Sequence, residues 1–261
     1  MRPISALAHE EARRLQGLLF DLDDTFLTEG QIVEAAFSSL YRLRETGLEL
    51  YAVTGRPAGW GRLIAAQWPV DGAVTENGAL LFYRDGHKLR QLDRLAPAER
   101  RARTRKLEAV RDELLAKFPE LVPTDDASFR ISDLTFDIGE HEHVSPERVC
   151  EMMAFVTARG VQAIRSSVHL HISDESDDKA SGSLRLLQLL KRRDPTEARF
   201  GYAFIGDSEN DAACFSAFHT TIGVQNLRGI LTRPPRFLTR GARALGFVEA
   251  AAQLVAARTT R

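Results

Sequence analysis

The sequence predicts an α/β protein, a Rossmann-like parallel sheet core with an α+β cap domain inserted into it. Three observations predict this. Short, continuous apolar runs such as GLLF and YAFIG alternate with helical periodicity near both ends of the chain, as in strands covered on both faces. The middle instead reads as a long basic helix followed by segments of period-two alternation. Polar residues collect just after the apolar runs, where open parallel sheets bind their ligands.

The elements follow in order. The first strand is Gly17 to Asp21. A helix is expected over Glu34 to Thr46, with Ala36, Phe37, Leu40, Tyr41 and Leu43 apolar at roughly helical spacing and Gly47 as its cap. The strand LELYAV ends at Thr54, and Pro57 opens the next helix in its first turn. A third strand begins near Ala73. From about Arg84 the grammar changes to the helix AERRARTRKLEAVRDELLAKF and then the alternating segment FRISDLTFDI. The latter has Phe129, Ile131, Leu134, Phe136 and Ile138 as its apolar positions and a phase slip near Ser132–Asp133 that suggests a bulge. Ser145-Pro146 starts another helix, closed by Gly160, and two short strands lie near VQAI and VHLHI. The α/β grammar returns with a helix from about Lys179 to Arg192, the strand YAFIG, a helix from about Glu209 to Phe218, a strand near TIGV and an amphipathic C-terminal helix. The expected domains are therefore a core of residues 1–83 and 177–261 and an inserted cap of residues 84–176.

A chain of 261 residues can bury a real core. Its formal net charge of −1 provides no global field for nucleic acid or an anionic membrane, so an anionic ligand must be held by local charges or a metal. Cys150 and Cys214 form no zinc motif and read as two reduced, buried thiols. The charged start lacks the apolar stretch of a signal peptide, and no run is long enough to cross a bilayer, which predicts a soluble cytoplasmic protein. The basic run Arg100 to Lys106 reads as a solvated helix face offset by Glu99, Glu108, Asp112 and Glu113, with no aromatic residues interleaved for base stacking.

Four segments carry chemistry. In FDLDDT, Asp21 falls at the carboxyl end of the first strand and Asp23 just beyond it. Two carboxylates so close need a cation or a shared proton. In VTGR, Thr54 ends a strand before a helix start, where a hydroxyl and backbone N–H groups suit a phosphate. Lys179 begins a helix after an acid-rich loop and can neutralise an anion. In GDSEND, Asp207 and Asp211 follow a strand at a spacing that faces both to one point, a hard-cation site favouring magnesium. Each segment alone can also be read as a turn, a cap or a solvated charge, least readily GDSEND with its three acids. Their common position at strand ends and helix starts, which converge on one sheet edge, is what makes a site.

FDLDDT, VTGR, Lys179 and GDSEND resemble, in order, the four motifs of the haloacid dehalogenase superfamily, and the resemblance spans nearly the whole chain. ENGA, residues 76 to 79, resembles the segment that precedes a large cap. The tail TRGARALGFVEAAAQL is similar to that of sucrose-phosphate and mannosylphosphoglycerate phosphatases, and SSVHLHIS to phosphomannomutase-like members. One departure stands out: Asp24 occupies a position where the superfamily usually has glycine, which tolerates positive φ better. The resemblance implies that Asp21 is the nucleophile and forms an aspartyl phosphate, and that Asp23, starting protonated, is the general acid and then the general base. It implies Mg2+ held by the Asp21 carboxylate, the Asp23 carbonyl, Asp207 and Asp211, and phosphate contacts from Thr54, Gly55 and Lys179. Arg56 and Asn77 are candidates for the substrate at the cap edge. Alternation on VHLHIS places His169, His171 and Ser173 on one face, opposite Val168, Leu170 and Ile172, and assigns the polar set to the substrate. The implied partner is a small phosphorylated metabolite of sugar type, and the implied activity a magnesium-dependent phosphatase. A sugar phosphomutase is the alternative, since it needs both aspartates and the metal too.

Overall fold

The computed structural model describes residues 1–165, 168–227 and 231–259. The chain opens with β1 (Arg2–Pro3) and α1 (His9–Arg14), neither expected from the sequence. There follow β2 (Gly17–Phe20), the small hairpin β3 (Leu27–Thr28) and β4 (Gln31–Ile32), α2 (Glu34–Glu45), β5 (Glu49–Val53), α3 (Ala58–Gln67), β6 (Gly72–Thr75), β7 (Leu80–Asp85) and β8 (Lys88–Asp93). The inserted segment supplies α4 (Pro97–Lys117), β9 (Val122–Pro123), β10 (Asp133–Asp137), α5 (Pro146–Thr157), β11 (Gln162–Arg165) and β12 (His169–Ser173). The chain ends with α6 (Lys179–Lys191), α7 (Pro195–Gly201), β13 (Tyr202–Gly206), α8 (Ala212–Ala217), β14 (Thr220–Gly223), β15 (Phe237–Leu238) and α9 (Arg243–Thr259).

Two compact units result. The first is Met1–Gly55, Gly61–Gln91 and Asp177–Arg261. Among the described residues its main sheet has nine strands in the order β1-β15-β14-β13-β2-β5-β6-β7-β8. All pairings from β1 to β6 are parallel, and β7 turns antiparallel to β6. The chain winds outward from β2 in one direction through β5 and β6, and later in the other through β13 and β14. The order therefore reverses at β2, and a crevice opens there, at the strand's carboxyl end.

Beneath that end lies an aromatic cluster. Phe26 sits 5.3 Å from Phe20, 5.0 Å from Phe247 on α9 and 5.3 Å from Trp68, ring centre to ring centre. Phe20, Phe26 and Phe247 are wholly buried. Each such ring is worth roughly 1.5–3 kcal/mol of burial. The cluster grips both ends of the loop 21–25, so the loop is held from below while its polar side chains face the crevice. The opposite end of the sheet is also tied down: Arg258 on α9 donates to the carbonyls of Leu15 and Thr46, at 2.8 and 3.1 Å.

The second unit is Arg56–Trp60 with Leu92–Ser176. Its four-stranded sheet runs β11-β12-β10-β9, with every pairing antiparallel. Leu134 and Phe136 on β10 and Leu170 and Ile172 on β12 face one way. There they pack with Leu107, Val110 and Leu114 of α4 and Val149, Met152 and Val156 of α5. Ser145 caps α5 by accepting from the Arg148 N–H at 3.3 Å, and Gly160 takes φ +68° beyond its end.

The structure corrects several expectations. The boundary at residue 84 moves to 92, because β7 and β8 extend the large sheet. Residues Arg56–Trp60 group with the second unit, where Gly59 packs on the Phe129 ring. There is no bulge at Ser132–Asp133: Phe129 ends a short 3-10 turn and is 60% exposed, and the strand begins only at Asp133. Val168 is only half-buried and lies outside the apolar cluster; Ser166 and Ser167 of the SSVHLHIS segment lie outside the described residues. Cys150 is exposed, on the outer side of α5, while Cys214 is buried. The basic run on α4 is not merely a solvated face. Arg100 is buried and donates from Nε and Nη2 to Asp93 at 2.6 and 2.8 Å, and it also pairs with Glu175. Lys106 binds Asp174 at 2.7 Å. Arg103 does pair with the expected Glu99 one turn away, at 3.1 Å, whereas Asp93, Asp174 and Glu175 lie outside the helix, where helical spacing could not reveal them. Among the described residues, no helix is long and apolar enough to cross a membrane.

Candidate active site

The strand register builds the site. Phe20 pairs with Ala52 on one side and Ile205 on the other. Continuing that register, Asp21 stands opposite Val53 and Gly206, and Thr54 and Asp207 each stand one step further along the neighbouring strands. Three strand ends thus carry three polar residues to one edge. Lys179 arrives from the first turn of α6. Asp178 caps that helix by accepting from the Ser181 N–H at 2.7 Å. Gly78 and Gly182 let the turn before β7 and the helix approach so closely that a Cβ on either would strike backbone.

The outcome is a buried charge cluster. Lys179 Nζ donates to Asp21 Oδ1 and to Asp211 Oδ1, both at 2.7 Å. Asp211 Oδ2 accepts the N–H groups of Asp207 and Ser208 at 2.9 and 3.2 Å, which closes the GDSEND turn on itself. That turn needs Gly206, because a Cβ there would run into Asp211 Oδ2. Asp207 accepts from the Thr25 hydroxyl at 3.3 Å and from Asn226 Nδ2 at 3.4 Å. Asp21, Asp207, Asp211 and Lys179 are all buried, whereas Asp23 is exposed.

Charge does not balance there. Burial works against the Lys179 ammonium, but Asp21 and Asp211 more than offset this and hold it protonated well above the usual lysine range. Burial also pushes the Asp21 carboxyl well above its ordinary value; Lys179 pulls it down, and Asp211, Asp207 and Asp23 push it up again. One ammonium serves three buried carboxylates. Oxygens of Asp21, Asp207 and Asp211 lie within 4.8 Å of one another. At that range each pair of like charges repels by about 3 kcal/mol at an effective dielectric near 20. An all-oxygen, over-negative pocket of this kind fits a hard divalent cation.

The remaining expected residues divide. Thr54 is wholly buried, and its N–H donates to Val74 O at 2.9 Å, so what it can bring to a ligand is its hydroxyl. Asn77 joins three loops: its N–H donates to Thr54 O at 3.3 Å, its Oδ1 accepts from Asn210 Nδ2 at 3.0 Å, and its side chain packs on Gly55. It does so at φ +53°, a conformation asparagine tolerates. In the second unit, the Arg56 guanidinium lies 4.2 Å over the Trp60 ring. His169, His171 and Ser173 share the polar face of β12, and each has a partner within its own unit. His169 Nε2 meets Glu140 at 2.7 Å, His171 Nδ1 meets the Thr135 hydroxyl at 3.1 Å, and Ser173 Oγ accepts from the Glu175 N–H at 3.0 Å. Burial pushes His171 below its ordinary value despite nearby Asp133. Arg130 Nη1 holds both carboxylate oxygens of Asp133 at 3.0 Å.

Sequence reasoning placed Thr25 in the first motif without giving it a role, and it missed Asn226 and Arg243. Asn226 was findable in principle, since it is a polar residue just past the strand end of β14. Arg243 had no such signal.

Residues 18–108 match the family model of haloacid dehalogenase-like hydrolases. That stretch is roughly a third of the chain and holds the first two of the four motifs, FDLDDT and VTGR. No curated protein matches it. Several solved structures share the fold over nearly their whole length. A Thermoplasma acidophilum protein is 16% identical, with 92% of this chain and 98% of that one covered at a TM-score of 0.73. The sucrose-phosphatase of Synechocystis, solved with sucrose and phosphate, is 18% identical, with 92% and 98% covered at 0.64. A phosphatase from Bacteroides thetaiotaomicron is 20% identical, with 96% and 98% covered at 0.66.

Proposed function

We propose that the protein is a Mg2+-dependent phosphatase that hydrolyses a small phosphorylated metabolite of sugar type through a phosphoaspartate on Asp21. The observation that carries this reading is the buried set Asp21, Lys179, Asp207 and Asp211, with excess negative charge at the carboxyl edge of the sheet. A phosphate dianion could not enter such a pocket without a compensating cation. The acid oxygens fit one: Asp21, Asp207 and Asp211 would hold it, with the Asp23 carbonyl as a further ligand. Bound there, Mg2+ supplies charge neutralisation for the phosphoryl group.

The side chains then divide the work. Asp21 forms a bond to phosphorus as the ester oxygen leaves, and Asp23 gives that oxygen its proton. Asp23 next takes a proton from water, which attacks phosphorus and frees Asp21 and inorganic phosphate. Lys179 orients the Asp21 carboxylate through its 2.7 Å bond and favours its ionised form against burial. The Thr54 hydroxyl and the turn at Gly55 receive phosphoryl oxygens. These residues account only for the phosphoryl group, so the inserted unit is assigned the choice of substrate, with Arg56, His169, His171 and Ser173 as its candidate contacts and Asn77 as a further one from the first unit. The name of the Synechocystis neighbour supports a sugar phosphate as the class to test first.

The test is a panel of phosphorylated metabolites incubated with Mg2+ and read both as free phosphate and as isomerised sugar phosphate. Free phosphate supports the proposal. An isomer without phosphate release selects the phosphomutase, and neither product from any member of the panel rejects both.

A further inference from the structure

Asp24 stands where the superfamily pattern has glycine, and its backbone is left-handed, at φ +54° and ψ +12°. A glycine would take that conformation without steric penalty, whereas an aspartate there has to be held. Two bonds reach it from the C-terminal part of the chain, and a third ties the two donors to each other. Arg243 Nε lies 3.1 Å from Asp24 Oδ1. Asn226 Nδ2 donates to the Asp24 carbonyl at 2.9 Å while also reaching Asp207 Oδ2 at 3.4 Å. The Arg243 N–H in turn donates to Asn226 Oδ1 at 2.6 Å.

Arg243 bears local penalties of its own. It takes φ +53°, and it is the first residue of α9, where a cation opposes the helix dipole. Helix formation would favour another residue at that position. What the arginine gains is its partners: Asp24 through Nε, Glu29 through Nη1 at 2.9 Å, and Asn226 through its backbone. The residues on either side of Asp24 are the two that need placing. Asp23 precedes it, and Thr25 follows, with its hydroxyl on Asp207 Oδ1.

We propose that Arg243 is a positioning residue for phosphoryl transfer. Its guanidinium pins the left-handed Asp24, its backbone holds Asn226 across Asp24 and Asp207, and together these stand in for the missing glycine. This rests on the phosphatase reading, in which Asp23 moves the proton. The ion pair is partly exposed, so it adds little to global stability. Its effect belongs in turnover, through the angle at which Asp23 meets the leaving oxygen.

The experiment is a double-mutant cycle on the full chain with Mg2+. In the native background, Arg243→Ala is expected to lower kcat by about 10-fold or more, with KM changed less than about 2-fold, because a small misplacement of a catalytic group is costly. In an Asp24→Gly background, the same Arg243→Ala change is expected to alter kcat by less than about 2-fold, since no strained aspartate remains to be pinned. Wild-type kcat in Arg243→Ala, an equal loss in both backgrounds, or a loss confined to KM overturns the proposal. Should Arg243→Ala lower the melting temperature, Arg243→Lys, which keeps the charge and loses the planar fork, is measured in its place with the same outcomes. A second readout separates this proposal from the functional one. Hydrogen exchange of the peptide spanning residues 22–28 is expected to rise by about 10-fold in Arg243→Ala, with the inserted unit unchanged. Unchanged exchange overturns the pinning, and absence of phosphate release by the wild type overturns only the enzymatic reading.

Discussion

Among the described residues, two buried charge clusters solve opposite problems. In the second unit, Arg130 Nη1 is matched to both carboxylate oxygens of Asp133, and both side chains are 3% exposed. His171 adds a near-neutral partner, and the Thr135 hydroxyl completes it. Its one buried carboxylate meets one buried guanidinium, which also reaches the partly exposed Asp126 at 3.3 Å, so no excess negative charge is buried there. In the first unit, Lys179 faces Asp21 and Asp211 with Asp207 beside them, and one positive charge is left to serve three carboxylates. A cluster that closes its own charge balance is structural. One that cannot is stable only with something else present, and so it is built to bind.

The largest expected effect tests the unbalanced cluster at its centre. Asp21→Asn keeps the shape and loses the nucleophile, so kcat should fall by about 10⁴-fold or more with the melting temperature retained or raised. Near-normal phosphate release from folded Asp21→Asn protein would end the mechanism. Next, activity should vanish in chelator and return with Mg2+, and Asp207→Ala should lose about 10²-fold or more even in saturating Mg2+. Full activity after verified metal removal would reject the metal reading.

Two matched substitutions set the clusters against each other. Lys179→Met and Arg130→Met each strand buried carboxylates, at a cost of about 3–5 kcal/mol. Mg2+ should restore part of the stability of Lys179→Met and none of that of Arg130→Met. Thermal melts with and without the ion read this directly, and rescue of both variants, or of neither, would erase the distinction drawn between the two regions.

The smallest effect lies in acid. Burial works against the Asp137 carboxylate, but four backbone N–H groups, from Gly139, Glu140, His141 and Glu142, donate to it and hold it below its ordinary 3.8. A depressed folded value means stability that is present above the unfolded value and lost as pH falls through the folded one. The pH dependence of unfolding should therefore flatten below pH 3.8 in Asp137→Asn relative to wild type. Parallel curves for the two proteins would remove Asp137 from the account.

Much of the first unit was legible because its signals are local. Continuous apolar runs marked β2, β5 and β13, and Gly47, Pro57 and Ser145 punctuated helices through backbone conformations that few other residues favour. The missed pieces lacked such signals. The strands β1 and β15 have two residues each, too few to show a period. The β7–β8 hairpin is half exposed on an edge, and its charged composition resembled the basic helix that follows it. Phe129 and Ile131 continued the apolar alternation of β10 without belonging to it, because a 3-10 turn sits where periodicity alone predicted strand.

By itself the sequence determined which residue types stand at which strand ends: Asp21, Thr54 and Asp207 after apolar runs, and Lys179 at a helix start. Strand periodicity and helix caps are short-range physics, carried within a few residues. Only the tertiary structure decided who neutralises whom. Lys179 bonds an aspartate 158 positions away, Arg100 takes Asp93 and Glu175, and Arg243 reaches back to a left-handed Asp24. Electrostatic partners depend on distance through space, and that distance exists only once the strands have taken their order in the sheet.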